Sequence, residues 1–207
     1  MKKIIVLLFI SVYSVSLAQE NPKVALSAES INPVKTGEKI PSVNLKNING
    51  NVVSLDSIVS SAPTVLIFYR GGWCPFCNIQ LSGLQKIEND IINLGYQIIA
   101  VSKDKPEMLA ETIDKDQINY TLLSDNDGAG ATEFRIAIKV SDEYITKLKT
   151  YNIDLESSSG TTDHILPVPA VFILDTSGII KFEYINADYK VRLDPEVLLT
   201  NLKSHSK

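Results

Sequence analysis

At 207 residues, 44% of them hydrophobic, the chain can bury one real core and is too short to call for several domains. Twenty-four acidic residues against twenty basic ones give a net charge of −4. No basic run interleaves with aromatics, which argues against a nucleic-acid partner. Two cysteines and two unclustered histidines leave too few ligands for a structural zinc site.

The start reads as an address. Lys2-Lys3 precedes the apolar run Ile4-Ile5-Val6-Leu7-Leu8-Phe9-Ile10, and small residues follow at Ser16 and Ala18. This is a basic region, an apolar region and a cleavage site, so residues 1–18 are expected to be a signal peptide. The stretch is shorter than the roughly 20 residues that span a bilayer. The mature chain is then expected from Gln19, exported and most plausibly periplasmic, with no membrane segment left after cleavage. Residues 19–36 mix small, polar and proline residues without period and are expected to be a flexible or loosely packed lead-in.

Two short apolar runs flanking Asn49-Gly50-Asn51, over 42–55, predict a hairpin. Thr64-Val65-Leu66-Ile67-Phe68-Tyr69 is apolar and rich in β-branched and aromatic residues, the pattern of a buried central strand. Leu81, Leu84, Ile87, Ile91 and Leu94 then recur at helical spacing, and Gly95 is placed to end that helix. Tyr96 to Val101 is a second strand. Pro106, with Asp104 before it, opens a helix carrying Met108, Leu109 and Ile113. Tyr120 to Ser124 is a third strand, followed by the turn Asp125-Asn126-Asp127-Gly128 and a helix around 129–134.

Ser141 is a candidate cap for a helix over 142–151, and 156–162 reads as a flexible loop. Residues of about 137–163 thus form an insert. Pro169 to Leu174, the turn Asp175-Thr176-Ser177-Gly178 and Ile179 to Tyr184 predict a second hairpin. Asp194-Pro195 caps and opens a last helix through about Lys203. Strands alternating with helices imply an α/β fold, a parallel or mixed sheet with right-handed crossovers.

The chemistry concentrates in Arg70-Gly71-Gly72-Trp73-Cys74-Pro75-Phe76-Cys77, which holds both cysteines and the only tryptophan. It lies where the central strand turns into a helix. Unpaired N–H groups and a partial positive charge there favour a thiolate, the reactive form of cysteine. Gly71-Gly72 permits a tight turn and Pro75 suits the first helical turn. A purely structural disulfide across so short a loop removes little unfolded-state entropy. A redox pair is the reading that uses every local choice.

A strand, Trp-Cys-x-x-Cys opening a helix, a late proline leading a hairpin strand and a final helix resemble the thioredoxin fold. The chain resembles more closely the alkyl hydroperoxide reductase/thiol-specific antioxidant (peroxiredoxin) family, in a branch bearing Cys-x-x-Cys. The likeness spans about 37–204, carried by Gly37-Glu38-Lys39-Ile40-Pro41, the cysteine motif, Leu122-Leu123-Ser124-Asp125 and Pro167-Val168-Pro169-Ala170-Val171-Phe172-Ile173-Leu174-Asp175. It implies a thioredoxin-like domain: a central mixed sheet flanked by helices, with an N-terminal β-hairpin extension. It also implies that Pro169, rather than Pro167, forms a cis bond facing the cysteines and shapes the site.

Laid on the peroxiredoxin motif Pro-x-x-x-Thr-x-x-Cys, Cys77 is the peroxidatic residue, Arg70 stands at the proline and Cys74 at the threonine. The family's distant arginine falls at Pro169. Laid on thioredoxin, Cys74 attacks and Cys77 resolves, and the strand Thr64 to Tyr69 lacks that family's buried acid. Two activities follow: hydroperoxide reduction through a Cys74/Cys77 dithiol–disulfide cycle, or exchange with protein disulfides. The electron donor implied is a thioredoxin-like protein, and no metal, flavin or nicotinamide motif is present. Trp73 reads either as a lid over the thiols or as packing. Arg70 reads either as a thiolate stabiliser or as a solvated strand end, and His164 as a nearby base or a solvated loop residue. His205 lies in the tail, and Asp175 reads as a turn residue. The stretch Asp188 to Arg192 matches a family feature of no legible role.

Overall fold

A computed structural model describes residues 23–206; the expected signal peptide and cleavage site, with residues 19–22, lie outside the described residues. The organising element is β4 (Thr64–Tyr69), whose six residues are all buried. It pairs in parallel with β5 (Gln97–Ser102) and antiparallel with β9 (Ala170–Leu174). Continuous apolar sequence is what a strand covered on both faces requires. The sheet runs β10-β9-β4-β5-β6-β2-β3, with β6 (Thr121–Ser124), β10 (Ile180–Ile185), β2 (Asn44–Lys46) and β3 (Val52–Ser54). The expected N-terminal hairpin is β2–β3, and it serves as the sheet's far edge because β2 also bridges β6 through Lys46 and Ser124.

Side chains of β4 alternate between two cores, as a period of two demands. Val65, Ile67 and Tyr69 face α2 (Pro75–Asn93), α3 (Pro106–Asp116) and α7 (Pro195–His205). Leu66 and Phe68 face α1 (Leu55–Val59) and α4 (Ala129–Glu133), where Phe68, Phe134 and Phe172 interlock with ring centroids 4.8 to 6.4 Å apart. Replacing Leu66 by alanine in such a core costs about 2–5 kcal/mol.

Several local expectations hold. Pro75 occupies the first turn of α2, and Gly95 follows its C-cap with φ +87°. Ser141 Oγ accepts from the Tyr144 N–H to cap α5 (Asp142–Thr150), and Asp194 accepts from Glu196 and Val197 to cap α7. Asp175 accepts from the Ser177 and Ile179 N–H groups and from the Ser177 hydroxyl, the structural turn role expected of it.

Other expectations fail. The described part of the lead-in is pinned: β1 (Val24–Ala25) pairs in parallel with β7 (Ala137–Lys139), and Val34 is buried. β7 pairs in turn with β8 (Ile165–Pro167), giving a second, three-stranded sheet that frames the insert. The segment read as a flexible loop holds α6 (Leu155–Ser159), capped by the Asp154 carboxylate on the Glu156 and Ser157 N–H groups and ended by Gly160 at φ +74°. Serine-rich composition hid a capped turn whose Ser158 and Ser159 are buried. Among the described residues no peptide bond is cis, so the expected cis bond at Pro169 is absent. Pro167 ends β8 and Val168 donates to the Ile136 carbonyl at 2.8 Å. Here the chain passes between the two sheets in extended form, and a trans bond suits that path.

Candidate active site

β4 ends at Tyr69, and the chain must leave the sheet and enter α2 within five residues. Gly71 has φ +149°, a backbone that side chains rarely adopt. A Cβ on Gly71 would overlap the Trp73 indole, and one on Gly72 would overlap the Thr112 hydroxyl. The two glycines therefore let the motif pack directly on α3 and on its own tryptophan. The Gly72 N–H donates to Asp104 Oδ2 at 2.7 Å, and Asn78 Nδ2 donates to the Gly72 carbonyl at 2.9 Å.

Cys74 is the N-cap of α2 and Cys77 lies one turn in. Both are free thiols and both are buried, at 1% and 0% exposure. The Cys77 thiol donates to Cys74, and this bond does most to favour charge on Cys74. The Arg70 guanidinium and the Cys77 backbone N–H add to it, outweighing burial and drawing Cys74 down to about 6. Burial, then the proximity of Cys74, push Cys77 well up, and Arg192 partly offsets this. Both shifts favour charge on Cys74 over Cys77.

Arg70 is neither solvated nor paired with a carboxylate. It is buried, and its guanidinium lies 4.1 Å from the Tyr189 ring centroid, 5.0 Å from Trp73 and 5.4 Å from Tyr144. It also donates to the Tyr144 hydroxyl. A desolvated cation over an aromatic face gains about 2 kcal/mol per good contact. Tyr144 comes from the insert and Tyr189 from the 186–192 loop, so three distant segments assemble this cage. Trp73 is half-buried and packs against both the α2 core and the insert. This bears out packing as one of the two readings of Trp73, and its ring also forms a wall of the Arg70 cage.

Two residues that sequence reasoning missed complete the site. Arg192 Nη2 donates to Cys77 Sγ at 3.3 Å, and its Nη1 donates to Gln80 Oε1 at 3.1 Å. The missing distant arginine thus has a counterpart from the loop before α7, within the stretch whose role the sequence concealed. Asp104, just past the end of β5, is buried beneath Gly72 and accepts from the Ser102 hydroxyl at 3.2 Å. Burial pushes its carboxyl up to about 7, and the Cys74 charge adds to the shift. A buried acid is present after all, supplied by the neighbouring strand rather than by β4. Its signal was Asp104 next to an apolar strand that pairs with β4.

Pro169 is buried and shares the wall of one cavity with Arg70 and Tyr189. His164 bonds Glu156 at 2.8 Å and is turned to the insert. Among the described residues no group of three or more histidine, cysteine or acidic side chains is placed to hold a metal ion.

A model of the AhpC/TSA family matches residues 36–183. Peroxiredoxin Bcp of Escherichia coli (strain K12) is 29% identical over 176 residues, 85% of this chain and 100% of that protein. A putative peroxiredoxin bcp of Haemophilus influenzae is 32% identical over 106 residues, 51% of this chain and 68% of the relative. In fold the chain matches the crystal structure of peroxidoxin BcpB from Mycobacterium tuberculosis with a TM-score of 0.66, at 18% identity, over 83% of this chain and 98% of that one. With a buried thiol pair at the strand-to-helix turn of its thioredoxin-like sheet, the chain belongs to the AhpC/TSA family as a thiol enzyme of the peroxiredoxin type.

Proposed function

We propose that the protein reduces hydroperoxides through a Cys74/Cys77 dithiol–disulfide cycle, with Cys74 attacking first. What supports the order is the place of Cys74 at the N-cap of α2, where the Cys77 thiol and Arg70 draw its pKa down. The Cys74 thiolate displaces alkoxide or hydroxide from the peroxide O–O bond, giving a sulfenic acid. The leaving oxygen takes a proton, and we assign buried Asp104 as the acid that can supply it. Cys77 sulfur then attacks the sulfenic sulfur, water departs and the disulfide closes. A dithiol donor, of the thioredoxin type by likeness to the peroxiredoxins, returns two electrons and two protons.

Burial favours peroxide over protein disulfides. Thiol–disulfide exchange requires a bulky partner to reach the attacking sulfur, and Cys74 is only 1% exposed. A hydroperoxide is small enough to enter. A second reading has Cys77 attack, as its place in the family motif implies; its support is the Arg192 contact, a guanidinium beside the sulfur. Sulfenate trapping in Cys74→Ser and Cys77→Ser separates the two. Sulfenic acid on Cys74 in Cys77→Ser, with peroxide consumption lost in Cys74→Ser, supports the first reading. The opposite pattern selects Cys77. Consumption no faster than a free thiol in the parent protein sinks both.

The leader over residues 1–18 supports export of this activity, which N-terminal sequencing of the secreted protein would test: a mature end near Gln19 is expected, and an intact Met1 would overturn it.

A further inference from the structure

The cage around Arg70 opens on one side into a cavity of about 270 Å³. Its walls come from parts of the chain that the thiol chemistry does not use: Leu26 just after β1, Ile138 and Val140 from β7 and the residue after it, and Leu166 from β8. Arg70 and Lys139 also line it, and no aspartate or glutamate does. In a chain with net charge −4, this is an apolar chamber with cations and no anion.

The Arg70 side chain makes no ion pair among the described residues, and its one side-chain hydrogen bond there is to the Tyr144 hydroxyl. The three aromatic faces and the Tyr144 hydroxyl offset part of the cost of burying this cation, and an anion facing it would offset more. In the dithiol protein the Cys74 thiolate supplies that charge, since Arg70 is among the groups that stabilise it. Once Cys74 and Cys77 join as a disulfide, the thiolate is gone. Arg70 then faces an apolar chamber with nothing to neutralise it.

We propose that this cavity is a binding site for a short-chain aliphatic carboxylate, with its headgroup on Arg70 and its hydrocarbon tail between Leu26, Ile138 and Leu166, filled when the cysteine pair is oxidised. The guanidinium fork matches a carboxylate in both charge and geometry. At about 30 Å³ per non-hydrogen atom, the chamber takes about eight or nine such atoms, the size of hexanoate. Thiolate and carboxylate compete for one cation, so deprotonation of Cys74 must weaken binding. By linkage, the ligand must stabilise the disulfide by the same factor. A carboxylate made abundant by lipid breakdown would then slow re-reduction of the enzyme.

The test is independent of peroxide turnover, because the disulfide can be formed with a thiol oxidant. Hexanoate, hexan-1-ol and acetate are titrated by calorimetry, with Trp73 fluorescence in parallel, into the disulfide form and into the dithiol form at pH 8. Hexanoate is expected to bind the disulfide form at least tenfold more tightly than either hexan-1-ol or acetate, and at least tenfold more tightly than it binds the dithiol form. Arg70→Met should abolish the preference for hexanoate over hexan-1-ol. If that variant does not fold, Ile138→Trp, which fills the chamber and leaves Arg70 in place, must lose hexanoate. Equal affinity for the acid and the alcohol, equal affinity in the two redox forms, or no binding at all would each overturn the proposal.

Discussion

Arg192 Nη2 reaches Cys77 Sγ at 3.3 Å, across 115 positions of sequence. The contact ties the loop before α7 to the first turn of α2 and places a permanent cation beside the thiol that must give up its proton. Arg192→Met removes that charge and should slow disulfide closure after peroxide attack about tenfold, while leaving the first attack by Cys74 less affected. Stopped-flow Trp73 fluorescence resolves the two phases. Equal slowing of both would mean that Arg192 acts on the first step, as the Cys77-first mechanism requires.

The thiolate on Cys74 sets a pH dependence. Its folded pKa of about 6 lies below the ordinary thiol value of 9.0, so the folded dithiol state binds fewer protons than the unfolded one between these values. Its contribution to stability is present in full above the unfolded value and is lost as pH falls through about 6. Thiolate absorbance of the reduced protein should rise with a midpoint near pH 6 and move upward in Arg70→Met. An unchanged midpoint in that variant would remove Arg70 from the site.

Asp104 has the opposite sign. Burial raises its pKa from 3.8 to about 7, so the folded state holds the proton more tightly, and stability from this group declines as pH rises through that window. At pH 8 the wild type carries a buried charge that Asp104→Asn does not. The unfolding free energy of the variant relative to wild type, read from denaturant melts, should therefore be higher at pH 8 than at pH 4, by a difference on the order of a few kcal/mol. A constant difference across pH would show that Asp104 does not titrate in this range.

Gly72 lies against Thr112 of α3, with no room for a methyl group. Gly72→Ala should destabilise the fold by about 1–3 kcal/mol through overpacking. Adding Thr112→Ala should recover part of the loss, because the overlapping hydroxyl is removed. Denaturant melts of the single and double variants measure this; purely additive losses would place the cost in the backbone instead.

Elements whose signal is local were legible in the sequence. The apolar run of β4, the helical spacing of α2, the Ser141 and Asp194 caps and the Asp175 turn follow from neighbours within a few residues. Backbone hydrogen bonding and side-chain periodicity decide such features before the chain closes on itself. The Cys74–Cys77 pair at a helix start is local in the same sense, and with it the redox chemistry. The family likeness was read from the same one-dimensional pattern.

Only the tertiary structure decided what surrounds the thiols. Arg192, Asp104, Tyr144 and Tyr189 lie from 27 to 118 positions away from the cysteines, and charge acts through distance in space rather than along the chain. Whether Arg70 is solvated or caged depends on whether the insert folds back over it, and no residue near Arg70 reports that. The trans bond at Pro169 likewise lies at the crossing between two sheets, the smaller of which joins residues 24–25, 137–139 and 165–167 from three distant parts of the chain. The sequence by itself determined that this is a thiol enzyme on a thioredoxin-like sheet; packing decided which cations and which acid lie beside its sulfurs.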